Sequence, residues 1–296
     1  MKTVGELGEE PLIAELCSGL STSSDLLIGP GDDCAVIETS KRLTLLKTDA
    51  VVEGVHYLKE TPAQKVGWKA VARVLSDFAA MGGNPNEFLI TLALTEETPV
   101  RWARALYRGM NRCLAQHGGV IVGGETTSLP KGSPTMVSVA GRGTVTRKQL
   151  VTRSGGKHGD AIFVTGRLGG SLRGKHLTFT PRLAESDWLT RHFKIRSMMD
   201  LSDGLAKDLP RLAEMSGCGF QLKPESIPRS RGCTVEQALG DGEDFELLFT
   251  VSKKTAAQLE EKWSKRFPKL PLSLIGSLQN QPGDSLKGGW DHFRGS

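Results

Sequence analysis

The chain has 296 residues, room for two domains of ordinary size or one large one. Hydrophobic residues make up 38% and charged residues 24%, a balance that buries a core and excludes a disordered chain. The net charge of +5, from 38 Lys and Arg against 33 Asp and Glu, forms no basic stripe, so no nucleic-acid partner is expected. Glycine is the informative excess: 35 residues, about 12% against roughly 7% in average usage. Without a G-x-y period, that excess points to tight turns and to loops whose backbone approaches a ligand. Met1 to Glu6 lack the apolar stretch of a secretory signal. The longest apolar run, around Phe88 to Leu94, is far too short to span a bilayer, so no membrane partner is expected. Cys17, Cys34, Cys113, Cys218 and Cys233 form no C-x-x-C pair, which argues against a disulfide framework or a structural zinc site. The cytoplasm is the expected compartment.

In chain order, Pro11 to Leu20 reads as a helix carrying Cys17, and Leu43 to Leu46 as a short buried strand whose polar tip is Lys47-Thr48-Asp49. Thr61-Pro62 opens a helix as N-cap and first-turn proline. Val66, Ala70, Val71, Val74, Leu75 and Phe78 continue it at helical spacing as far as Gly82-Gly83-Asn84-Pro85. Phe88 to Leu94 reads as a strand, Thr98-Pro99 as the start of a second helix ending at His117-Gly118-Gly119, and Val120 to Val122 and Met136 to Ala140 as further strands. Periodicity then disappears from Gly141 to Gly159, the expected domain boundary. Beyond it come a strand at Ala161 to Thr165, a strand-to-turn at Ser197 to Gly204, a helix over Asp208 to Met215, a strand at Phe245 to Val251 and a helix over Lys254 to Trp263. This mixture predicts two α/β or α+β domains, residues 1–145 and 146–296.

Carboxylates recur beside glycine or at the ends of apolar runs: Gly31-Asp32-Asp33, Thr48-Asp49, Ser76-Asp77, Gly124-Glu125, Asp200-Leu201-Ser202-Asp203-Gly204 and Gly242-Glu243-Asp244. Any one of these is explained by the turn preference of Asp and Gly. Six together are not, and Asp77 and Asp200 follow Val74-Leu75 and Met198-Met199, where a lone buried carboxylate is costly. Hard divalent cations held between carboxylates and phosphates would resolve that cost. Gly169-Gly170-Ser171-Leu172-Arg173-Gly174-Lys175 fits G-x-x-x-x-G-K, but His176 stands where a Walker loop needs Ser or Thr, so it is read as a decoy. There is no H-E-x-x-H and no G-x-S-x-G.

In order along the chain, Gly31-Asp32-Asp33-Cys34-Ala35, Thr48-Asp49 with Glu53-Gly54-Val55-His56, Leu75-Ser76-Asp77-Phe78-Ala79-Ala80-Met81-Gly82, Gly123-Gly124-Glu125-Thr126-Thr127, Thr152-Arg153-Ser154-Gly155, Asp200-Leu201-Ser202-Asp203-Gly204-Leu205, Gly242-Glu243-Asp244-Phe245-Glu246-Leu247 and Trp290-Asp291-His292-Phe293 resemble the thiamine-monophosphate kinase family. The match runs in register from near the N-terminus to the last residues. It implies the two-domain α/β fold shared with aminoimidazole ribonucleotide synthetase, and a homodimer in which the N-terminal sheets meet. It also implies ATP-dependent phosphorylation of thiamine monophosphate to thiamine diphosphate, with several Mg²⁺ ions.

Position by position, the resemblance implies Asp32, Thr48, Asp49, Asp77, Glu125, Asp200 and Asp203 as Mg²⁺ ligands. It implies Gly124, Glu125, Arg153 and Ser202 as ATP contacts, and His56, Glu243 and Trp290 as substrate contacts. The chain departs from the family pattern in places. Glu125 stands where Asp is usual, Lys47 replaces a small hydroxyl residue, Gly166 to Asp200 is shortened, and Gly240-Asp241-Gly242 replaces a small-residue lead-in. Two other readings accommodate these departures: an ATP-dependent enzyme of the same fold with another acceptor, and a relative that binds nucleotide or thiamine without turnover.

Overall fold

The computed structural model describes residues 3–21, 23–39, 42–280 and 284–290. Asp291, His292 and Phe293, the end of the last family motif, lie outside them. Two short helices, α1 (Val4–Leu7) and α2 (Glu9–Ser18), precede strands β1 (Leu26–Ile28), β2 (Ala35–Thr39) and β3 (Arg42–Val52). Helix α3 (Ala63–Ala80), strand β4 (Asn84–Thr95), helix α4 (Val100–His117) and strands β5 (Val120–Leu129) and β6 (Met136–Val145) follow. These strands form a six-stranded sheet in the order β1-β2-β3-β6-β4-β5. Only β4 and β5 run parallel, joined by α4 as the crossover that a parallel pair requires. One face of this sheet packs on α3 and α4 around Val36, Leu45, Val74, Phe78, Phe88 and Met110. On β3, Leu43 and Leu45 are buried while Leu46 and Thr48 are exposed, the period-two alternation of a sheet covered on one side.

The second sheet holds β7 (Ala161–Thr165), β8 (Ser197–Asp200), β9 (Gly219–Leu222), β10 (Leu247–Val251) and β11 (Leu272–Gln279). Its order is β8-β10-β7-β11-β9, antiparallel throughout. Both faces are covered, so β7 and β10 are buried at every position. Helix α6 (Leu205–Met215) packs Leu205, Leu209 and Leu212 against Ile162, Val164 and Leu248 on one face. On the other face α5 (Leu183–His192) and α8 (Lys253–Arg266) pack Leu189, Leu259 and Trp263 against Phe163 and Phe249. A short α7 (Val235–Gly240), capped by Thr234 with a Gln237 capping box, leads toward β10. Among the described residues, no helix is long and apolar enough to cross a membrane.

Helix α3 belongs to both halves. Its Trp68 indole donates to the Phe179 carbonyl at 2.8 Å, and the Phe179 and Phe245 rings stack at 4.0 Å within the first core. At its other end the Ser186 hydroxyl donates to the Ala79 carbonyl at 2.5 Å, and Ala79 joins the core beneath the second sheet.

Several boundaries differ from the sequence expectations. Lys47-Thr48-Asp49 is not a strand tip: β3 runs on to Val52 because β6 pairs with it from Leu43 to Val52. The strand read at Val120 to Val122 runs on through Gly123 to Thr127 as the middle of β5, paired with Leu89 to Ala93. Likewise Gly141 to Val145 still belongs to β6, inside the expected boundary. Pro62, not Thr61, is the N-cap of α3, and the Thr61 hydroxyl instead accepts from the Leu58 amide at 3.1 Å. Strand β4 begins at Asn84, with Pro85 at a pairing irregularity that needs no donor from it.

Two glycines let α3 and α4 touch. A Cβ on Gly67 would lie 2.0 Å from the Leu106 carbonyl oxygen, and one on Gly109 would lie 2.0 Å from that of Gln64. Backbone cannot yield as a side-chain tip can, so the helices would have to separate. Gly109→Ala is therefore expected to lower unfolding free energy by roughly 2–3 kcal/mol in denaturant titration, although Ala favours helix. Unchanged stability would mean that the helices pack less closely than this.

Candidate active site

The site is built on the buried face of α3. Lys69, Arg73 and Asp77 recur every four residues and therefore form one stripe, each facing an opposite charge from another element. The fully buried Lys69 ammonium donates to Glu243 Oε2 and to the His56 carbonyl, both at 2.6 Å. Arg73 reaches Asp49 at 3.4 Å. Asp77 Oδ1 accepts from Lys47 Nζ at 2.8 Å. Lys47 and Asp49 lie two apart on β3, so both point to the helix side of the sheet.

At the end of this stripe three buried carboxylates converge. Asp33, Asp77 and Asp200 each offer an oxygen within 4.8 Å of the others. Asp33 precedes β2, Asp77 lies in the last turns of α3, and Asp200 ends β8. The Ser76 hydroxyl donates to Asp200 Oδ2 at 2.6 Å. Arg153 closes the opposite side: its guanidinium donates to Asp33 Oδ1 at 2.7 Å, and its amide to both carboxylate oxygens of Asp32 at 3.2 Å. Asp33 Oδ2 is buried without a hydrogen-bond partner among the described residues.

Burial and mutual repulsion set the protonation of this group. Burial, with Asp33 adjacent, pushes Asp32 up to about 6. Burial and Asp33 push Asp200 up to about 6, opposed by the Ser76 hydrogen bond, Lys47 and Arg153. Asp77 is raised by burial and by Asp49, Asp200 and Asp33, a rise that Lys47 only partly offsets. Asp49 goes the other way, since Arg73 and Lys47 outweigh its burial and hold it below the ordinary carboxylate value. Burial likewise works against the Lys47 charge, but Asp77 and Asp49 hold its pKa above that of an ordinary lysine.

Beside the carboxylates lies a cavity of about 100 Å³, whose lining includes His56, Arg73, Ser202, Asp203, Glu243 and Trp290. Its wall is a loop in which Glu243 and Phe245 adopt left-handed φ of 51° and 50°. The Glu243 amide donates to the Ser202 carbonyl at 2.7 Å and the Phe245 amide to that of Leu201 at 2.8 Å, fixing the strained loop to the end of β8.

The residues expected from sequence thus fall into separate groups. Asp77 and Asp200 meet in the triad, where their partner is Asp33 and not Asp32; Asp32 sits next to it on the Arg153 amide. Asp33 was legible as the second carboxylate of Gly31-Asp32-Asp33, but the motif alone does not say which of two adjacent side chains turns inward. Asp49 stands near through Arg73. The Thr48 side chain, one residue along the strand, lies exposed on the other face, 3.5 Å from the Ser138 hydroxyl. Glu125 is exposed on the edge strand β5, its carboxylate accepting from the Thr126 amide at 3.0 Å. Gly124 lies beside it, so close to the Ile90 backbone that a Cβ would fall 1.9 Å from that carbonyl oxygen. Asp203 turns its carboxylate to Arg211 at 2.7 Å and Lys207 at 3.5 Å. His56, Ser202, Glu243 and Trp290 share the cavity.

The decoy loop Gly169 to Lys175 forms two 3-10 turns instead of a phosphate cradle. Its amides are engaged: Gly169 donates to Asp244 at 3.0 Å and Gly170 to Asp241 at 2.7 Å. Lys175 faces Glu246 at 3.1 Å and Asp244 at 3.5 Å. Lys175→Ala should therefore leave ATP affinity nearly unchanged while lowering the melting temperature, because two buried carboxylates lose a cation. Loss of ATP binding by orders of magnitude in calorimetric titration would instead make Lys175 a phosphate ligand.

A second expectation concerns pH. Asp32 and Asp200, ordinarily near 3.8, sit at about 6, so between those values the folded metal-free protein binds more protons than the unfolded chain. Stability from these groups is full below the lower value and is lost as pH rises through the upper one. Asp200→Asn removes one titrating group. In EDTA its stability relative to the parent should rise by about 2 kcal/mol from pH about 4 to about 7. A pH-independent difference would assign Asp200 an ordinary carboxylate pKa.

Comparison with known proteins matches residues 31–145 to the family described as AIR synthase related protein, N-terminal domain. Thiamine-monophosphate kinase of Rhodopirellula baltica is 32% identical to the chain, covering 93% of it and 90% of the relative. That of Aquifex aeolicus is 31% identical over 99% of both. A solved structure, AaThiL complexed with AMPPCP and TMP, superposes with a TM-score of 0.85 at 30% identity, covering 99% of each chain. The mixed α/β fold with its two sheets is that of these structures. Identity of this extent over nearly the whole chain, with the ordered acidic motifs and the buried carboxylates they supply, establishes that the chain belongs to the thiamine-monophosphate kinase family.

Proposed function

We propose that this chain phosphorylates thiamine monophosphate with ATP, giving thiamine diphosphate and ADP. An oxygen of the acceptor phosphate forms a bond to the γ-phosphorus of ATP, and the bond from that phosphorus to the β,γ-bridging oxygen breaks. No phosphorylated side chain is needed, because such transfers depend on positioning and on neutralising charge. The observation that carries the reading is a buried three-carboxylate cluster beside a cavity lined by His56, Glu243 and Trp290.

The donor set fits Mg²⁺: it is made of hard carboxylate oxygens, and Asp33 Oδ2 is buried without a partner among the described residues. Asp32, Asp33, Asp49, Asp77 and Asp200 would hold it. The family pattern adds Asp203, and also Thr48 and Glu125, whose side chains are exposed on the first sheet of the protomer. A divalent cation bound there supplies the positive charge that lets two phosphate anions approach. Arg153 and Ser202 would orient the ATP phosphates, with Gly124 and Glu125 on the nucleotide side. In the cavity the Glu243 carboxylate, held by Lys69, and the Trp290 ring suit a cationic thiazolium. His56 would contact the same substrate.

The same reading extends to assembly and location. Leu89 and Val122 are 51% and 57% exposed on the open face of the first sheet, where with Leu46 they line a groove of about 530 Å³. An apolar sheet face of this kind is suited to a second copy of the chain, giving a homodimer of protomers divided into residues 1–145 and 146–296. Free cysteines at positions 17, 34, 113, 218 and 233 suit the reducing cytoplasm.

The test is direct. Purified protein with ATP, Mg²⁺ and thiamine monophosphate should give thiamine diphosphate by chromatography, one per ADP. Asp77→Asn should lower turnover by about a thousandfold. ADP formed without thiamine diphosphate would point to another acceptor, and full activity in Asp77→Asn would remove that residue from the mechanism.

A further inference from the structure

Lys47 stands on the helix-facing side of β3, two residues before Asp49. Its ammonium is 2.8 Å from Asp77 Oδ1, and Asp77 is one of the three carboxylates that converge within 4.8 Å. The other cations of the group serve other carboxylates: Arg73 reaches Asp49 at 3.4 Å, and Arg153 reaches Asp33 at 2.7 Å. Among the described residues, Lys47 is thus the cation that hydrogen-bonds Asp77. An ammonium hydrogen-bonded to a carboxylate oxygen occupies the same side of that oxygen from which a metal ion would be coordinated, so one excludes the other there.

We propose that the Lys47 ammonium is a tethered counter-ion that takes the place of one divalent cation at Asp77, an inference that rests on the reading of the carboxylates as a metal site. The named group then holds five carboxylates, Asp32, Asp33, Asp49, Asp77 and Asp200, against three cations, Lys47, Arg73 and Arg153. That leaves two negative charges for a free divalent ion. A small hydroxyl residue at position 47 would leave three, add a ligand oxygen and vacate the space of a four-carbon stem. A lysine charge also differs in kind from a bound ion. It cannot be diluted or chelated away, and it neutralises one charge instead of two. Asp33 Oδ2, buried without a partner among the described residues, is the second mark of the site: with Asp77 already served by Lys47, the remaining ion is drawn to the Asp33 and Asp200 side.

Metal stoichiometry in the absence of nucleotide tests this. The full chain and its Lys47→Ser variant are titrated with Mn²⁺, the free ion being read by electron paramagnetic resonance. Lys47→Ser is expected to bind about one more Mn²⁺ per protomer than the parent. It should also melt lower than the parent in EDTA and recover when Mn²⁺ is added. Lys47→Gln keeps most of the stem and removes the charge, so it should gain the same ion and decides the matter if the shorter side chain impairs folding. Equal, non-zero stoichiometry in the parent and both variants overturns the tethered-ion proposal and leaves the metal site standing. Absence of Mn²⁺ binding in all of them overturns the metal site, and the proposal with it.

Discussion

Helix α3 has to bury ionised side chains, and the rest of the molecule is arranged around that requirement. Lys69, Arg73 and Asp77 sit on a helix that is otherwise Val, Ala, Leu and Phe on its inward face. A lone charge there would cost several kcal/mol, so each must meet a partner of opposite sign. The partners come from distant parts of the chain: Glu243 from the loop before β10, Asp49 and Lys47 from β3. The pairing therefore sets the register of β3 against the helix and holds the strained Glu243 loop against the first half. The carboxylates that remain under-compensated gather at one end, which is where a cation and phosphates can complete the balance.

Much of this was legible in the sequence because period and chemistry coincided. The apolar positions from Val66 to Phe78 place α3, and β7 at Ala161–Thr165 reads directly from its unbroken apolar run. Short elements such as β9, α7 and β11 escaped, since four to eight residues with mixed polarity hold no clear period. Strands β3, β5 and β6 were read too short for a related reason. Pairing with neighbours extends a strand through Thr, Gly and Glu, residues that a single sequence scores as loop.

The burial of two carboxylates was legible in the sequence, but the geometry around them was not. Asp77 and Asp200 were found from the cost of placing a carboxylate in apolar context, an argument that burial alone supports. Asp33 was missed because adjacent residues point in different directions and only the fold decides which one turns inward. The alternation of β3 sends Lys47 and Asp49 to the helix and Thr48 to the open face, a division that follows once the strand is known to continue. On the positively charged side of the site, Arg153 was named by the family resemblance, whereas Lys69 and Arg73 were the least visible. Single Lys and Arg residues in a mildly basic chain attract no notice until each is seen against its carboxylate.

The sharing of α3 between two cores bears on how the chain comes into being. Its side chains complete the first core only with Phe179 and Phe245, and its far end is tied to Ser186. All three lie downstream of the first sheet. During synthesis the N-terminal strands and both of their helices emerge from the ribosome first, yet the inward charges of α3 have no Glu243 to meet until most of the polypeptide has been made. The first half must wait in an incompletely closed state, with a buried lysine still hydrated. The strands form two separate sheets, but the two are finished by the same late event.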